Sequence, residues 1–220
     1  MMANNEIGSI QPLTEVVKIA KEKRIMVHTD AVQCMGKMEL NVSKLDVDFL
    51  TLSAHKFYGP KGVGALYVRN PKKLNPLILG GGQERGLRAG TESVALIAGM
   101  GLACKIAYSN LNNHKKLLND LETYFKTQLK KITSKVIFNG NQRKKIPGLI
   151  NISFPGHQSN MMMAALDRAD IAVSNGSACA SGIVKLSPVL SALGLKDDLN
   201  LSSIRFSFGA FNTKKEIDYL

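Results

Sequence analysis

The sequence predicts an α/β fold, because helical and strand-like patterns alternate along its first half. Thr14–Arg24 places apolar residues at helical spacing with charges on the opposite side, and Ile25–His28 follows as a short apolar run typical of a buried strand. Phe49–Leu52 is a second such run, and Gly64–Val68 is a third that follows a glycine-rich turn. We expect these runs to form neighbouring strands of one sheet.

The pattern from Glu92 to Lys131 is helical throughout but changes its character part-way. Val94–Ala107 is apolar on nearly every side, which predicts a fully buried helix, whereas the stripe of leucines that ends at Leu129 predicts an amphipathic helix. Asparagines at 110, 112 and 113 interrupt the pattern between the two helices. We therefore predict a first domain over residues 1–110 and a second over residues 111–220.

The second predicted domain continues with short strands and short helices. The predicted strands are Val136–Phe138, Ile150–Phe154, Ala172–Ser174 and Ser203–Ser207, and the predicted helices are Met161–Asp167, Ser187–Leu193 and one that begins near Thr213. Both ends of the sequence are abrupt, since no strand precedes Asn4 and the last helix is very short. We expect the sequence to be part of a longer chain.

The composition favours a soluble cytoplasmic protein with no membrane partner. It has 45% apolar and 21% charged residues, no apolar run approaches the roughly 18 residues of a membrane span, and no signal peptide precedes the fold. Three cysteines without C-x-x-C spacing argue against a disulfide framework and against a metal site. The net charge of +12 is interpreted as a lysine-rich surface, and no aromatic residues accompany Arg143–Lys145 as a nucleic-acid site would require.

Polar side chains follow the first two predicted strands. Asp30 and Gln33 follow the first, and Ser53, His55 and Lys56 follow the second. The carboxyl ends of neighbouring parallel strands face one crevice, so we expect these groups to converge. A lysine at the end of a buried strand is a candidate desolvated amine for Schiff-base chemistry, and the plain alternative is a lysine that reaches solvent from a frayed strand end. Together the groups supply the amine, acid, hydroxyl and imidazole that pyridoxal phosphate (PLP) requires.

A series of motifs in order resembles the cysteine desulfurases of the NifS type. They are A-N-N-E-I-G, H-T-D-A-V-Q, S-A-H-K-F-Y-G-P-K-G-V-G-A-L-Y-V-R, G-G-G-Q-E-R-G-L-R-A-G-T-E, and S-N-G-S-A-C-A-S with S-S-I-R-F-S. The resemblance extends from Asn4 to Leu220 and implies a PLP-dependent transferase of fold type I, in the class V aminotransferase group. Part of a large α/β/α domain is then followed by a smaller α+β domain whose last helix is truncated.

The resemblance also implies the roles of the cofactor-binding residues. Lys56 would bind the cofactor covalently and move the substrate's α-proton, and Asp30 would keep the pyridine nitrogen protonated. The other implied contacts are Gln33 and Asn5 at the ring oxygen or the substrate, Ser53 and His55 at the phosphate, and Thr91 at the phosphate of a neighbouring subunit. The last of these contacts implies a homodimer.

The substrate and the nucleophile follow from the same resemblance. Cys179 lies among small residues of low helix propensity, which predicts a loop, and it would attack the sulfur of L-cysteine, become a persulfide and leave L-alanine. Arg205 lies in an apolar strand and would bind the substrate carboxylate, although an arginine at a sheet edge could also face solvent. Cys34 and Cys104 are interpreted as small buried apolar residues.

We therefore expect a cysteine desulfurase that supplies sulfur to an acceptor or iron–sulfur scaffold protein. Selenocysteine lyase or another class V enzyme is one alternative, since Lys56 and Asp30 would be shared. The other is an inactive truncated chain that serves as a binding subunit. Members of the family carry a further amino-terminal segment, so we expect this chain alone to fold poorly or to bind the cofactor weakly.

Overall fold

The computed structural model describes residues 1–176 and 185–220, which form two compact units. The first unit comprises Met1–Met2 and Gln11–Leu111, and the second comprises Ala3–Ile10 and Asn112–Leu220. Residues 3–10 were expected in the first domain, and the structure places them in the second. The reason is backbone pairing, because Ile10 N donates to Lys144 O and Ile146 N donates to Gly8 O, each at 2.9 Å.

The first unit is built on a three-stranded sheet. Its elements are α1 (Leu13–Glu22), β1 (His28–Asp30), α2 (Val42–Leu45), β2 (Phe49–Ser53), β3 (Gly64–Val68) and α3 (Val94–Ser109), with 3-10 turns at Ala54–Phe57, Pro71–Lys73 and Gln83–Gly86. The strand order is β1-β2-β3, with β1 parallel and β3 antiparallel to β2. This mixed helix and strand arrangement confirms the predicted α/β class.

The first strand lies further along the chain than predicted. The predicted run was Ile25–His28, whereas β1 is His28–Asp30. Ile25 and Met26 are about half exposed, so these apolar residues precede the sheet and do not belong to its buried face. Val27 O accepts from the backbone of Asp48 and Phe49, and regular pairing with β2 begins only at the next residue.

Helix α3 is not fully buried, contrary to its all-round apolar pattern. Only Met100 and Ala103 are buried along it, and Val94 and Tyr108 are 70% and 79% exposed. The buried side of α3 packs on the Ala54–Phe57 turn in a small apolar cluster. The sequence pattern correctly indicated that α3 is apolar on most sides. It did not indicate how much of the helix surface the rest of the first unit buries.

The second unit packs two long apolar surfaces against each other. Its elements are α4 (Leu111–Ile132), β4 (Ile137–Phe138), β5 (Leu149–Ser153), α5 (Ser159–Asp167), α6 (Pro188–Ala192), α7 (Asp197–Leu201), β6 (Ser203–Ser207) and α8 (Lys214–Tyr219). The sheet order is β4-β5-β6, antiparallel throughout. Leu121 and Phe125 of α4 pack on Ile150, Ile152 and Ile204 of the sheet, as the amphipathic pattern predicts.

One predicted strand of this unit is reduced to a single bridge. Ala172–Ser174 forms no strand, and Ser174 alone pairs with Arg205 of β6. Arg205 N donates to Ser174 O at 2.6 Å, so the segment pairs with the sheet at one residue, and Val173 packs against the apolar core beside it. Within the described ranges, no single helix is long and apolar enough to cross a membrane, and α3 and α4 pass a test of length and composition only when taken together.

A buried ionic cluster ties α4 to the segment that leads into β5. Glu122 is 8% exposed, and its carboxylate accepts from Lys126 Nζ at 2.6 Å, from Lys145 Nζ at 2.6 and 2.7 Å, and from Gly148 N at 3.2 Å. Burial alone would raise the pKa of Glu122, but the hydrogen bonds from Lys126 and Lys145 outweigh it and hold the pKa below its ordinary value of 4.5. The cluster therefore stabilises the fold when Glu122 is ionised.

Glu122→Gln should lower the free energy of unfolding by about 3 kcal/mol at pH 7, because it leaves two buried or half-buried ammonium groups without their counter-charge. The folded-state pKa of Glu122 is lowered, so its contribution is present above 4.5 and is lost as the pH falls through the lower folded value. Urea unfolding at pH 7 and at pH 3 measures this difference, which should shrink at pH 3.

Glu39→Gln is the matched control, since Glu39 forms a 3.0 Å ion pair with Lys44 on the surface. That change should cost less than about 1 kcal/mol, because exposed pairs are screened by solvent. An equal loss from both variants, or a Glu122 effect that is the same at the two pH values, would contradict the ionic role assigned to the buried cluster.

Candidate active site

The carboxyl ends of β1 and β2 form one polar edge in the first unit. The two strands are parallel with Asp30 opposite Thr51, and Ala31 N donates to Thr51 O at 3.0 Å. Asp30 ends β1 and is half-buried, and its Oδ1 accepts from Val32 N at 2.8 Å, which orients the carboxylate at the strand end. Ser53 ends β2 two residues beyond Thr51. The register thus brings the predicted acid and hydroxyl to the same edge of the sheet.

The turn after β2 separates buried from exposed side chains. Ala54–Phe57 is a 3-10 turn, in which residues three apart lie on the same side. Ala54 and Phe57 are buried, so His55 and Lys56 project outward and are exposed. The expectation of a desolvated lysine is wrong for the described structure, because the strand ends at Ser53 and Lys56 lies on the turn beyond it. Lys56 has the alternative arrangement, an amine that reaches solvent.

Close packing on α3 fixes the position of this turn. A Cβ added at Gly59 would lie 2.9 Å from the Cβ of Ala54 and 3.2 Å from the Cβ of Ala103. A Cβ added at Gly99 of α3 would lie 2.7 Å from Cγ of Pro60. The distances of 2.9 and 2.7 Å are too short for a real Cβ, so Gly59 and Gly99 allow the turn to pack directly against the helix. The turn that presents the exposed His55 and Lys56 is therefore held rigidly against α3.

The two other predicted cofactor residues of the first unit lie in loops. Gln33 is half-buried in the turns that follow β1, three residues after Asp30. Thr91 is exposed in the segment that precedes α3. Gln33 thus lies close in sequence to Asp30 of the polar edge, and Thr91 lies on the surface.

In the second unit, Arg205 is held by backbone carbonyls. Its Nη1 donates to Asn5 O at 3.0 Å and to Gly176 O at 3.4 Å. Its Nε is buried and has no hydrogen-bond partner in the part of the chain that the structure describes. Burial lowers the pKa of Arg205, and the Glu6 carboxylate opposes that effect. A half-buried guanidinium with an unused donor is suited to binding an anion.

Asn5 is presented by a tight turn. Asn4 Oδ1 accepts from Glu6 N at 2.8 Å and from Ile7 N at 3.0 Å, a side-chain cap that is common in turns. Asn5 is half-buried, and its carbonyl oxygen is the group that Arg205 binds. The structure therefore brings together the two predicted substrate-binding residues, Asn5 and Arg205.

The two cysteines that the structure describes, Cys34 and Cys104, both have thiols with a raised pKa. Cys179 lies in 177–184, outside the described residues. Cys34 is fully buried, as predicted, and burial with the nearby Asp30 raises the pKa of its thiol to about 12. Burial also raises the pKa of the Cys104 thiol. Since the thiolate is the nucleophilic form, neither Cys34 nor Cys104 is suited to attack at neutral pH.

Comparison with known proteins decides the family. The model of the family described as "Aminotransferase class-V" matches residues 1–220. The chain belongs to the class V aminotransferase family. It is 47% identical to "Cysteine desulfurase IscS" of Dictyoglomus turgidum, over all of this chain and 56% of that protein, and 43% identical to the protein of the same name from Rickettsia rickettsii, over all of this chain and 53% of that protein.

Solved structures of the family show the same fold. A NifS-like protein from Rickettsia africae matches with a TM-score of 0.90 at 33% identity, over 99% of this chain and 57% of that chain. A structure titled "SspA in complex with cysteine" matches with a TM-score of 0.73 at 33% identity, over 96% and 58% of the two chains. The fold is therefore that of the PLP enzymes of fold type I, and the chain spans little more than half the length of the relatives it matches.

The class V relatives depend on PLP, and the polar edge of the first unit carries suitable groups for it. Asp30 supplies a carboxylate for the ring nitrogen, Lys56 an amine for the aldehyde, and Ser53 and His55 a hydroxyl and an imidazole for the phosphate. All four lie at or just beyond the carboxyl ends of two parallel strands, where ligands of α/β sheets bind. The donor set therefore fits the cofactor.

The sequence analysis did not single out Glu6 and Ser187, a hydrogen-bonded pair whose carboxylate acts on Arg205 in the second unit. Ser187 Oγ donates to Glu6 Oε2 at 2.6 Å, and both residues are buried. The two lie 181 residues apart, so no local pattern connects them. The one available signal was a glutamate that is followed directly by Ile7 and Gly8 in the Asn5 motif.

Gly99→Ala should destabilise the first unit by about 1 to 3 kcal/mol relative to Gly101→Ala, because its methyl group would collide with Pro60 beside the Lys56 turn. Gly101 is the matched control, since it lies in the same helix, gains the same helix propensity and has nothing within 4 Å of an added Cβ. Thermal unfolding of the two variants gives the comparison. Equal stabilities would show that the turn is not seated on α3 as described.

Proposed function

We propose that this chain works in a cysteine desulfurase, which converts L-cysteine to L-alanine and keeps the sulfur as a persulfide on Cys179. The observation that carries the proposal is the parallel register of β1 and β2, which brings Asp30 to the edge that continues into Ser53, His55 and Lys56. The relatives named cysteine desulfurase, and the similar structure solved with cysteine, support this substrate.

The residues of the first unit divide the work of activating the substrate. Bound PLP supplies an electron sink for the charge that develops at the substrate Cα. Asp30 holds the proton on the ring nitrogen, and Ser53 and His55 bind the phosphate. Lys56 moves the proton at the substrate Cα. Its amine is well placed to do so, because it projects from an exposed turn that packs closely on α3. Gln33 binds the cofactor from the β1 side.

The residues of the second unit bind the substrate carboxylate and cleave the substrate's Cβ–S bond. Arg205 binds the substrate carboxylate, for which its buried Nε is available, and Asn5 orients Arg205 through its carbonyl oxygen and contacts the substrate side of the cofactor. The Cys179 thiolate attacks the substrate sulfur. A new S–S bond forms as the substrate's Cβ–S bond breaks, and the electron pair and a proton end on Cβ. The products are L-alanine and a persulfide on Cys179.

The partners of the reaction follow from charge and from the predicted role of Thr91. We propose a homodimer in which Thr91 reaches the neighbouring subunit's phosphate, and a cytoplasmic sulfur acceptor such as an iron–sulfur scaffold protein. The net charge of +12 favours an acceptor with an acidic docking surface. No observation favours selenocysteine lyase or a non-catalytic binding subunit over the desulfurase.

Cys179→Ser should lower alanine formation from L-cysteine by about 100-fold or more in the PLP-loaded protein expressed from its own gene, because a serine hydroxyl is weakly nucleophilic at neutral pH. Cys104→Ala is the control, since Cys104 is a helix residue with a raised pKa, and it should keep its rate. Alanine is quantified by chromatography, and the persulfide by mass spectrometry of the Cys179 peptide.

Two results would contradict the proposal. Unchanged alanine formation in the serine variant would remove Cys179 from the reaction. Alanine formation from selenocysteine but not from cysteine would favour the lyase in place of the desulfurase.

A further inference from the structure

Glu6 is a buried charged group that the proposed reaction does not use. It is 3% exposed, and its Oε2 accepts from Ser187 Oγ at 2.6 Å. Burying a carboxylate is costly unless a positive charge or several hydrogen bonds compensate it. Ser187 is the one side-chain donor to this carboxylate among residues 1–176 and 185–220, and a serine hydroxyl is weak compensation, so the surroundings of Glu6 need a positive charge.

Arg205 is the positive charge that Glu6 acts on. Gly176 lies beside both groups, because its carbonyl oxygen accepts from Arg205 Nη1 at 3.4 Å and a Cβ added to it would lie 3.6 Å from Glu6 Oε2. The Glu6 carboxylate accordingly raises the pKa of Arg205 against the effect of burial. The hydrogen bonds of Arg205 Nη1 go to the carbonyls of Asn5 and Gly176, and that of Glu6 Oε2 comes from Ser187. Glu6 therefore balances the charge of Arg205 while the buried Nε keeps no partner within the described residues.

Both ends of the Glu6–Ser187 hydrogen bond are held in place. On one side, Asn4 Oδ1 accepts from Glu6 N at 2.8 Å and fixes the backbone of Glu6. On the other side, Ser187 N donates to Asn200 Oδ1 and Asn200 Nδ2 donates to Ser187 O, each at 2.9 Å. Ser187 Oγ also accepts from Leu190 N as the N-cap of α6. The carboxylate is thus restrained to one position.

We infer that Glu6 sets how strongly Arg205 binds a carboxylate, and that Ser187 is a positioning residue that keeps Glu6 off the Arg205 Nε. This inference rests on the proposed binding of the substrate carboxylate at Arg205. A charge near the guanidinium weakens its attraction for a second anion, and a carboxylate in direct contact would replace that anion altogether. Glu6 held at a fixed position weakens the attraction of Arg205 for the substrate carboxylate. It is prevented from contacting the guanidinium directly and replacing that carboxylate.

Two single changes should then act in opposite directions. Glu6→Gln keeps an oxygen that accepts from Ser187 but removes the negative charge, so the affinity of Arg205 for carboxylate should rise, by about threefold to tenfold. Ser187→Ala removes the donor and frees Glu6 to pair with Arg205, so the affinity should fall by a similar factor. Ser187→Thr keeps the hydroxyl and the helix cap and should behave as the unchanged protein does.

The experiment uses the PLP-loaded protein expressed from its own gene, with L-alanine as the probe because it carries the carboxylate of the substrate and does not turn over. The Nε–H resonance of Arg205, assigned by its loss in Arg205→Lys, is followed in a titration with L-alanine, and KM for L-cysteine is measured in parallel. We expect the dissociation constant and KM to fall in Glu6→Gln, to rise in Ser187→Ala, and to be unchanged in Ser187→Thr.

The readouts separate this inference from the proposed function. If no alanine forms from cysteine but the Nε–H titrations shift in opposite directions, the inference holds and the desulfurase assignment fails. If alanine forms and Glu6→Gln binds L-alanine no more tightly than the unchanged protein, the inference is overturned and the desulfurase assignment stands. A Ser187→Ala variant that fails to fold does not rescue it, because the Glu6→Gln result decides alone.

Discussion

The parallel pairing of β1 with β2 is the constraint on which the candidate site depends. It sets Asp30, the last residue of β1, opposite Thr51, two residues before β2 ends at Ser53, so the carboxyl ends of both strands lie at the same edge of the sheet. A shift of the register by one residue would turn the Asp30 side chain to the opposite face, because side chains alternate along a strand. A three-residue strand holds this register only through its neighbour, and the backbone bond from Ala31 to Thr51 continues the pairing beyond β1.

Long-range backbone pairing has the same role in the second unit. Residues 3–10 join this unit through hydrogen bonds to the segment near Lys144 and Ile146, and the same segment is tied to α4 by the buried Glu122 cluster. The turn that Asn4 caps then presents Asn5 to Arg205 of β6. A buried ionic cluster and a few backbone hydrogen bonds therefore orient Arg205, which the proposed reaction needs.

Much of the fold was readable from the sequence, and the failures share one physical cause. The predicted bounds of β3 and β6 agree with the structure residue for residue. The β3 run follows a glycine-rich turn, and Ile204 and Phe206 alternate with polar residues along β6. The burial of α3 was predicted wrongly, since apolar composition does not say which surface covers a helix. The sequence left both a desolvated and an exposed Lys56 open, because the outcome depends on a turn that begins directly after the strand. Each failure concerns tertiary surroundings rather than local preference.

The central claim is that the edge formed by β1 and β2 places Lys56 where PLP is bound. The most direct test is reduction of the PLP-loaded protein with borohydride, followed by peptide mapping to find the lysine that carries the pyridoxyl group. We expect the pyridoxyl group to be found on Lys56. A pyridoxyl group on another lysine, or none on Lys56 in protein that retains PLP, would contradict it.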